Sequence, residues 1–200
     1  MSQAESRAAD RPRVWRPGGW LLGARWCFSP NFGPRPASTV VSLVVLHNIS
    51  LPPGQFSGRW VEAFFQNRLP ATVDPYFAQI SNLQVSAHFY IRRDGELVQV
   101  VGTDSRAWHA GQSVWQGRAN CNDYSLGIEL AGCDELPFTA AQYQTLWHLL
   151  AALRERYPLT AVAGHEHVAP GRKSDPGPHF DWAALQCRHP DLSLPGEVVA

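Results

Sequence analysis

Ser42-Leu43-Val44-Val45-Leu46-His47-Asn48 is the stretch that decides the fold. Its apolar, β-branched run ends abruptly in polar residues. That is the pattern of a central strand buried on both faces and emerging at the edge of a sheet. Open α/β sheets present ligands at the carboxyl ends of their strands, so His47 becomes a candidate functional residue. The run is far too short to span a bilayer.

Working outward, the flanking segments complete an α/β pattern. Residues 86–92 and 96–101 are strand-like and enclose Arg93-Asp94-Gly95, and an Asp-Gly pair in that setting predicts a hairpin. Alternation puts His88, Tyr90 and Arg92 on one face, and Phe89 and Ile91 on the other. Tyr124-Ser125-Leu126-Gly127-Ile128-Glu129-Leu130 reads as another strand, with Leu126, Ile128 and Leu130 on one side and Ser125, Gly127 and Glu129 on the other. A carboxylate on a glycine-lined side is expected to leave room for a ligand. Short helices are expected over 58–67 and after Asp74-Pro75. The longest, over 140–157, opens on a Thr139/Gln142 capping box, buries Tyr143, Leu146, Trp147, Leu150 and Leu153, and stops at Pro158. Residues 159–164 form a short strand delivering His165, and 181–185 a last helical turn. The expected organisation is a flexible leader over 1–13, one domain over 14–190 and a loose tail over 191–200.

Composition narrows the function. With 44% apolar and 17% charged residues the chain is a folded globular protein. Its 17 basic and 17 acidic residues cancel, so no bulk attraction to nucleic acid or a membrane surface is expected. The first 19 residues are polar, with Arg7, Arg11, Arg13 and Arg16 and no apolar core, so no secretory signal is read and a cytosolic location is expected. Cys27, Cys121, Cys133 and Cys187 include no C-x-x-C pair, which predicts free thiols rather than a zinc knot.

The chemistry concentrates in Gly164-His165-Glu166-His167-Val168-Ala169-Pro170-Gly171-Arg172-Lys173-Ser174-Asp175-Pro176-Gly177-Pro178. Three prolines restrict this loop, which carries an imidazole, an ammonium and a carboxylate. Two His and one carboxylate, drawn from His47, His165 and Asp175, make a reasonable zinc set with an open position. Glu129 is the best base for a water attacking an amide, and Lys173 the best stabiliser of the oxyanion. Spacing alone leaves His88, His109, His167, Glu166 and Asp123 as competitors for these roles.

Residues 45–54, 85–88, 91–95, 107–111, 121–130 and 164–178, in this order, closely resemble the type 2 N-acetylmuramoyl-L-alanine amidase family, in its cytosolic branch; the resemblance runs from about 19 to 182. It implies a single α/β domain, a central mixed sheet flanked by helices, with a zinc site at strand ends. It implies Zn2+ held by His47, His165 and Asp175, with Glu129 and Lys173 catalytic. The implied reaction splits the amide between the lactyl group of 1,6-anhydro-N-acetylmuramic acid and L-alanine in recycled wall fragments. Other branches carry a Cys as third ligand and a Tyr before the His88 position; here these are Asp175 and Ala87, which shifts proton transfer to Glu129. Asn48, Trp108, His109 and Arg118 are the expected substrate-binding residues. Relatives can carry Arg at the positions of Gln84 and Asn120, both uncharged here. A monomer acting on anhydromuropeptides is expected; the alternative is a non-catalytic muropeptide-binding module of the same fold.

Overall fold

The computed structural model describes residues 15–196, so the expected leader over 1–13 lies outside the described residues. Six strands build the central sheet: β1 (Arg25–Trp26), β2 (Leu43–Ile49), β3 (Phe89–Ile91), β4 (Leu97–Gln99), β5 (Ser125–Ala131) and β6 (Ala161–Gly164). Their spatial order is β6-β2-β5-β3-β4-β1. Every neighbouring pair is parallel except the β3–β4 hairpin, which turns at Asp94-Gly95 as expected. Gly95 sits at φ +86°, where a side chain would be strained. The sheet is therefore mixed, and its centre is the parallel trio β6-β2-β5.

Register follows from which residues must be buried. Leu46 pairs with Gly164 and Ile128, and His47 pairs with Glu129. On one face Val44, Leu46, Phe89, Ile91, Leu126, Ile128 and Leu130 form the main core. The longest helix covers that face. Among the described residues five α-helices occur in chain order: α1 (Trp60–Phe65), α2 (Pro75–Ile80), α3 (Ala140–Arg156), α4 (His165–Val168) and α5 (Trp182–Arg188). Leu146, Leu149, Leu150 and Leu153 of α3 are buried in this core, with Tyr143 and Trp147 partly buried at its rim. Each buried leucine contributes roughly 1.5–3 kcal/mol relative to an exposed one.

The opposite face carries two smaller apolar clusters. One joins α1 and α2 to Tyr90, Val98 and Val100; the other gathers Leu43, Val45, Ala163 and Val168. His47, Glu129 and His165 are buried polar residues on the strands and strand end of this side.

Two local expectations change. The chain does not leave β6 as a loop: Gly164 caps a helical turn that begins at His165, with the Gly164 N–H donating to His167 Nδ1 at 3.1 Å. The tail is not loose over 191–194. Leu192 and Leu194 are buried in the main core, Ser193 N–H donates to Thr160 O, and Val162 N–H donates to Ser193 O. Two apolar side chains and the outer edge of β6 hold a stretch expected to be loose. All four cysteines are free.

Thr139 does more than cap α3. Its hydroxyl accepts from Gln142 N–H at 3.1 Å and donates to Arg93 O at 2.8 Å, while Gln142 donates to Ile91 O and Ala131 O. The cap thus ties the helix start to the sheet. Replacing Thr139 by Ala should lower unfolding free energy by about 1–2 kcal/mol, read from urea titration, with Thr139→Ser retaining most of it.

Candidate metal centre and cleft

Three side chains from three parts of the chain converge. His47 Nδ1 and His165 Nδ1 lie 3.0 Å apart, and Asp175 Oδ2 lies 2.9 Å from the first and 3.0 Å from the second. Parallel register explains the pairing of imidazoles: Gly164 sits beside Leu46, so the next residues, His165 and His47, emerge together. The loop returns Asp175 to them, with Asp175 O accepting from Glu166 N–H at 2.8 Å.

The outer ring nitrogens decide what this triangle can hold. His165 Nε2 faces Ala110 O at 3.1 Å, an acceptor only, so it carries the proton and leaves Nδ1 as a bare lone pair. His47 Nε2 lies 3.1 Å from His109 Nδ1, and His109 Nε2 lies 3.3 Å from Ser125 Oγ. Two buried imidazole nitrogens and a carboxylate oxygen then face one another with too few protons to satisfy them. A divalent cation would satisfy all three. Tetrahedral ligands at about 2.0–2.1 Å from an ion stand about 3.4 Å apart, so the triangle need open only by a few tenths of an ångström. His47, His165 and Asp175 form the group among the described residues able to share an ion.

Electrostatics favours the ligand state. Burial, opposed by Asp175, lowers the His47 pKa to about 4, and burial with the surrounding imidazoles holds His109 well below its ordinary value. Both are neutral near pH 7, as ligands and their supports must be. Burial would raise the Asp175 carboxyl, but its contacts with His165 and His47 outweigh that and keep it ionised.

Glu129 stands beside His47 in register, 8% exposed, and its Oε2 has no hydrogen-bond partner. Burial first, then the charge of Asp175, pushes its pKa well up; Lys173 opposes them. A carboxyl that binds a proton this readily suits proton transfer. Lys173 is exposed at the rim of the same cleft. The cleft has a volume of about 570 Å³, with the triad, Glu129 and Lys173 among its polar lining and Leu51, Phe64 and Tyr76 among its apolar lining.

The remaining sequence candidates divide. Asn48 lines the cleft but also braces it, donating to Asp134 Oδ1 at 2.7 Å and Pro176 O at 3.1 Å. His109 lines the cleft from beneath, behind His47. Trp108 is half-buried outside the lining, its N–H donating to Ser86 Oγ. Arg118 also lies outside it, on a two-strand ribbon with its guanidinium 3.7 Å from the Tyr124 ring centroid. The room expected over Gly127 is filled: a Cβ there would lie 2.4 Å from His109 Cγ. Two contributors escaped the sequence reading. Arg172 donates to Ala110 O and Gln112 O, at 2.8 and 2.6 Å, clamping the 164–178 loop to the next turn. Asn122 accepts from the backbone N–H groups of His109 and Ala110. Nothing in the residue type marks either role; only their place inside dense motifs hinted at one.

Comparison with known proteins agrees with this geometry. A family profile described as N-acetylmuramoyl-L-alanine amidase matches residues 37–178. The chain is 54% identical over 170 residues to the 1,6-anhydro-N-acetylmuramyl-L-alanine amidase AmpD of Escherichia coli K12, covering 84% of this chain and 93% of that one. It is 47% identical over 167 residues to the AmpD of Haemophilus influenzae, covering 82% and 91%. A crystal structure of a selenomethionine AmpD derivative superposes with a TM-score of 0.84 at 51% identity, covering 88% of this chain and 98% of that one.

One buried histidine beside the centre predicts a pH dependence of stability. His88 Nδ1 accepts from Gly127 N–H and its Nε2–H donates to Ser105 O, each at 3.0 Å. Burial, then the charge of Arg35, lowers its pKa to about 3. Unfolded, it titrates near 6.5, so between these values the unfolded chain binds the extra proton. Stability present above about pH 6.5 should therefore be lost as pH falls through that window, by up to about 1.4 kcal/mol per pH unit from this group. Urea titrations between about pH 7 and about pH 4.5 should show a shallower slope in His88→Gln than in the parent.

Proposed function

The chain belongs to the N-acetylmuramoyl-L-alanine amidase family, and from that premise we propose that it hydrolyses the amide joining the lactyl group of 1,6-anhydro-N-acetylmuramic acid to L-alanine in cell-wall fragments undergoing recycling. Zinc is the ion of this reading, held by His47, His165 and Asp175. The observation that supports it most is the 3 Å triangle of ligand atoms beside Glu129, whose Oε2 has no partner. Two imidazoles and one carboxylate leave a fourth position open, the pattern of catalytic rather than structural zinc.

When bound, the ion supplies Lewis acidity toward the scissile carbonyl and acidifies water. The chain's own groups handle the protons and the charge. Glu129 takes the proton from the attacking water and returns it to the departing L-alanine nitrogen; its raised pKa makes the second step possible. Lys173 places an ammonium at the cleft rim, where it stabilises negative charge developing on the carbonyl oxygen. Ala87 is buried and has no proton to give, so Glu129 carries both transfers. Asn48 keeps the loop bearing Asp175 against the cleft wall through Pro176.

Among the described residues no helix is long and apolar enough to cross a membrane. The reading puts a monomeric enzyme in the cytosol, where fractionation and light scattering check both points.

The test is release of L-alanine-containing peptide from anhydromuropeptide. Chelation should abolish it, and added zinc should restore it. Glu129→Gln should keep its zinc and lose about 10²–10⁴-fold in kcat. Lys173→Ala should lose about 10²–10³-fold in kcat with little change in metal content. Full turnover in verified metal-free protein would overturn the assignment.

A further inference from the structure

The outer nitrogens of the two imidazole ligands are met by consecutive residues. His109 Nδ1 lies 3.1 Å from His47 Nε2, and Ala110 O lies 3.1 Å from His165 Nε2. One dipeptide thus fixes the rotation and tautomer of rings that stand 118 residues apart in the sequence. What fixes the dipeptide is Asn122. Its Oδ1 accepts from His109 N–H at 3.1 Å and from Ala110 N–H at 2.8 Å, and the residue is 5% exposed. Both partners are donors, so the accepting atom is the oxygen, and the amide nitrogen takes no part in either bond.

We propose that Asn122 is the positioning residue of the metal centre: its carboxamide oxygen pins His109-Ala110, and through that dipeptide both imidazole ligands. Arg172 holds the same Ala110 carbonyl from the solvent side, so Ala110 O has two donors and little freedom. Without Asn122, two buried N–H groups lose their acceptor, and the turn must move to find others. Any such move travels to His47 through the His109 ring and to His165 through the Ala110 carbonyl. The ligands then keep their identity but lose their shared aim.

The inference rests on the metal-site reading above, and the experiment separates the two. Zinc affinity is measured by chelator competition, and histidine tautomers by nitrogen-15 NMR on the metal-free protein. Asn122→Ala should weaken zinc about 10–100-fold, lower kcat more than KM, and mix the tautomers of His47 and His165. Asn122→Asp presents an oxygen at the same place and should stay within about threefold of the parent in affinity, a difference set against that 10–100-fold loss. If Asn122→Ala does not fold, Asn122→Ser, whose hydroxyl falls short of the turn, is judged by the same measurements. An alanine or serine variant with unchanged affinity and tautomers overturns the proposal, and so does an aspartate variant as damaged as the alanine one. If instead His47→Ala leaves zinc affinity unchanged, the metal reading fails by itself, and the tautomers of the metal-free variants still decide the role of Asn122.

Discussion

The parallel pairing of β6, β2 and β5 is the constraint on which everything else depends. With Gly164, Leu46 and Ile128 level across the three strands, His165, His47 and Glu129 follow one step later, side by side. No long side chain reaches across to make the site; backbone hydrogen bonds bring the groups together. A slip of one residue in β5 would turn Glu129 into the main core and Ile128 into the cleft. The apolar face therefore polices the face that lines the cleft. Leu126, Ile128 and Leu130 can be buried under α3 only if Glu129 is not.

Above this rigid layer lies a less regular one, made of the turn at 108–112, the residues around Asn122 and the loop from 164 to 178. Its backbone groups do the work that side chains do elsewhere. Ala110 O serves His165 and Arg172; Pro176 O receives Asn48; Asp175 O receives Glu166 N–H. A centre built this way takes His47 and Glu129 from strands and His165, Asp175 and Lys173 from the segment that follows β6, with its fine aim set by loop backbone.

Much of the fold was legible because its signals are local. The run at 42–48, the Asp94-Gly95 turn and the Thr139 cap each announce themselves within a few residues; the strand falls one residue later, at Leu43–Ile49, and the other two are where they were expected. The convergence of His47, His165 and Asp175 was legible only as one option among several histidines until the motifs were taken as a group and matched to a family. What stayed hidden was set by distant contacts. Gly127 looked like open space, yet a ring from 18 positions earlier fills it. Arg118 looked close to the cleft in sequence, yet it stacks on Tyr124 outside it. Leu192 and Leu194 looked like part of a loose end, yet they complete the main core. Periodicity reports which way a residue faces; it does not report what arrives from elsewhere to meet it.

The strap formed by residues 192–194 has a further consequence. β6 is the outermost strand on its side, and an outermost strand offers unpaired amides and carbonyls to any other chain that can adopt the same extended shape. Ser193 occupies that edge, bridging to Ala161 and accepting from Val162 N–H. Residues 192–194 therefore cover an edge that would otherwise be open to another chain, and they do so at the strand that leads into His165. Edge and cleft are joined there: whatever peels the strap away uncovers the edge of β6 and loosens the strand that leads into His165 in the same movement.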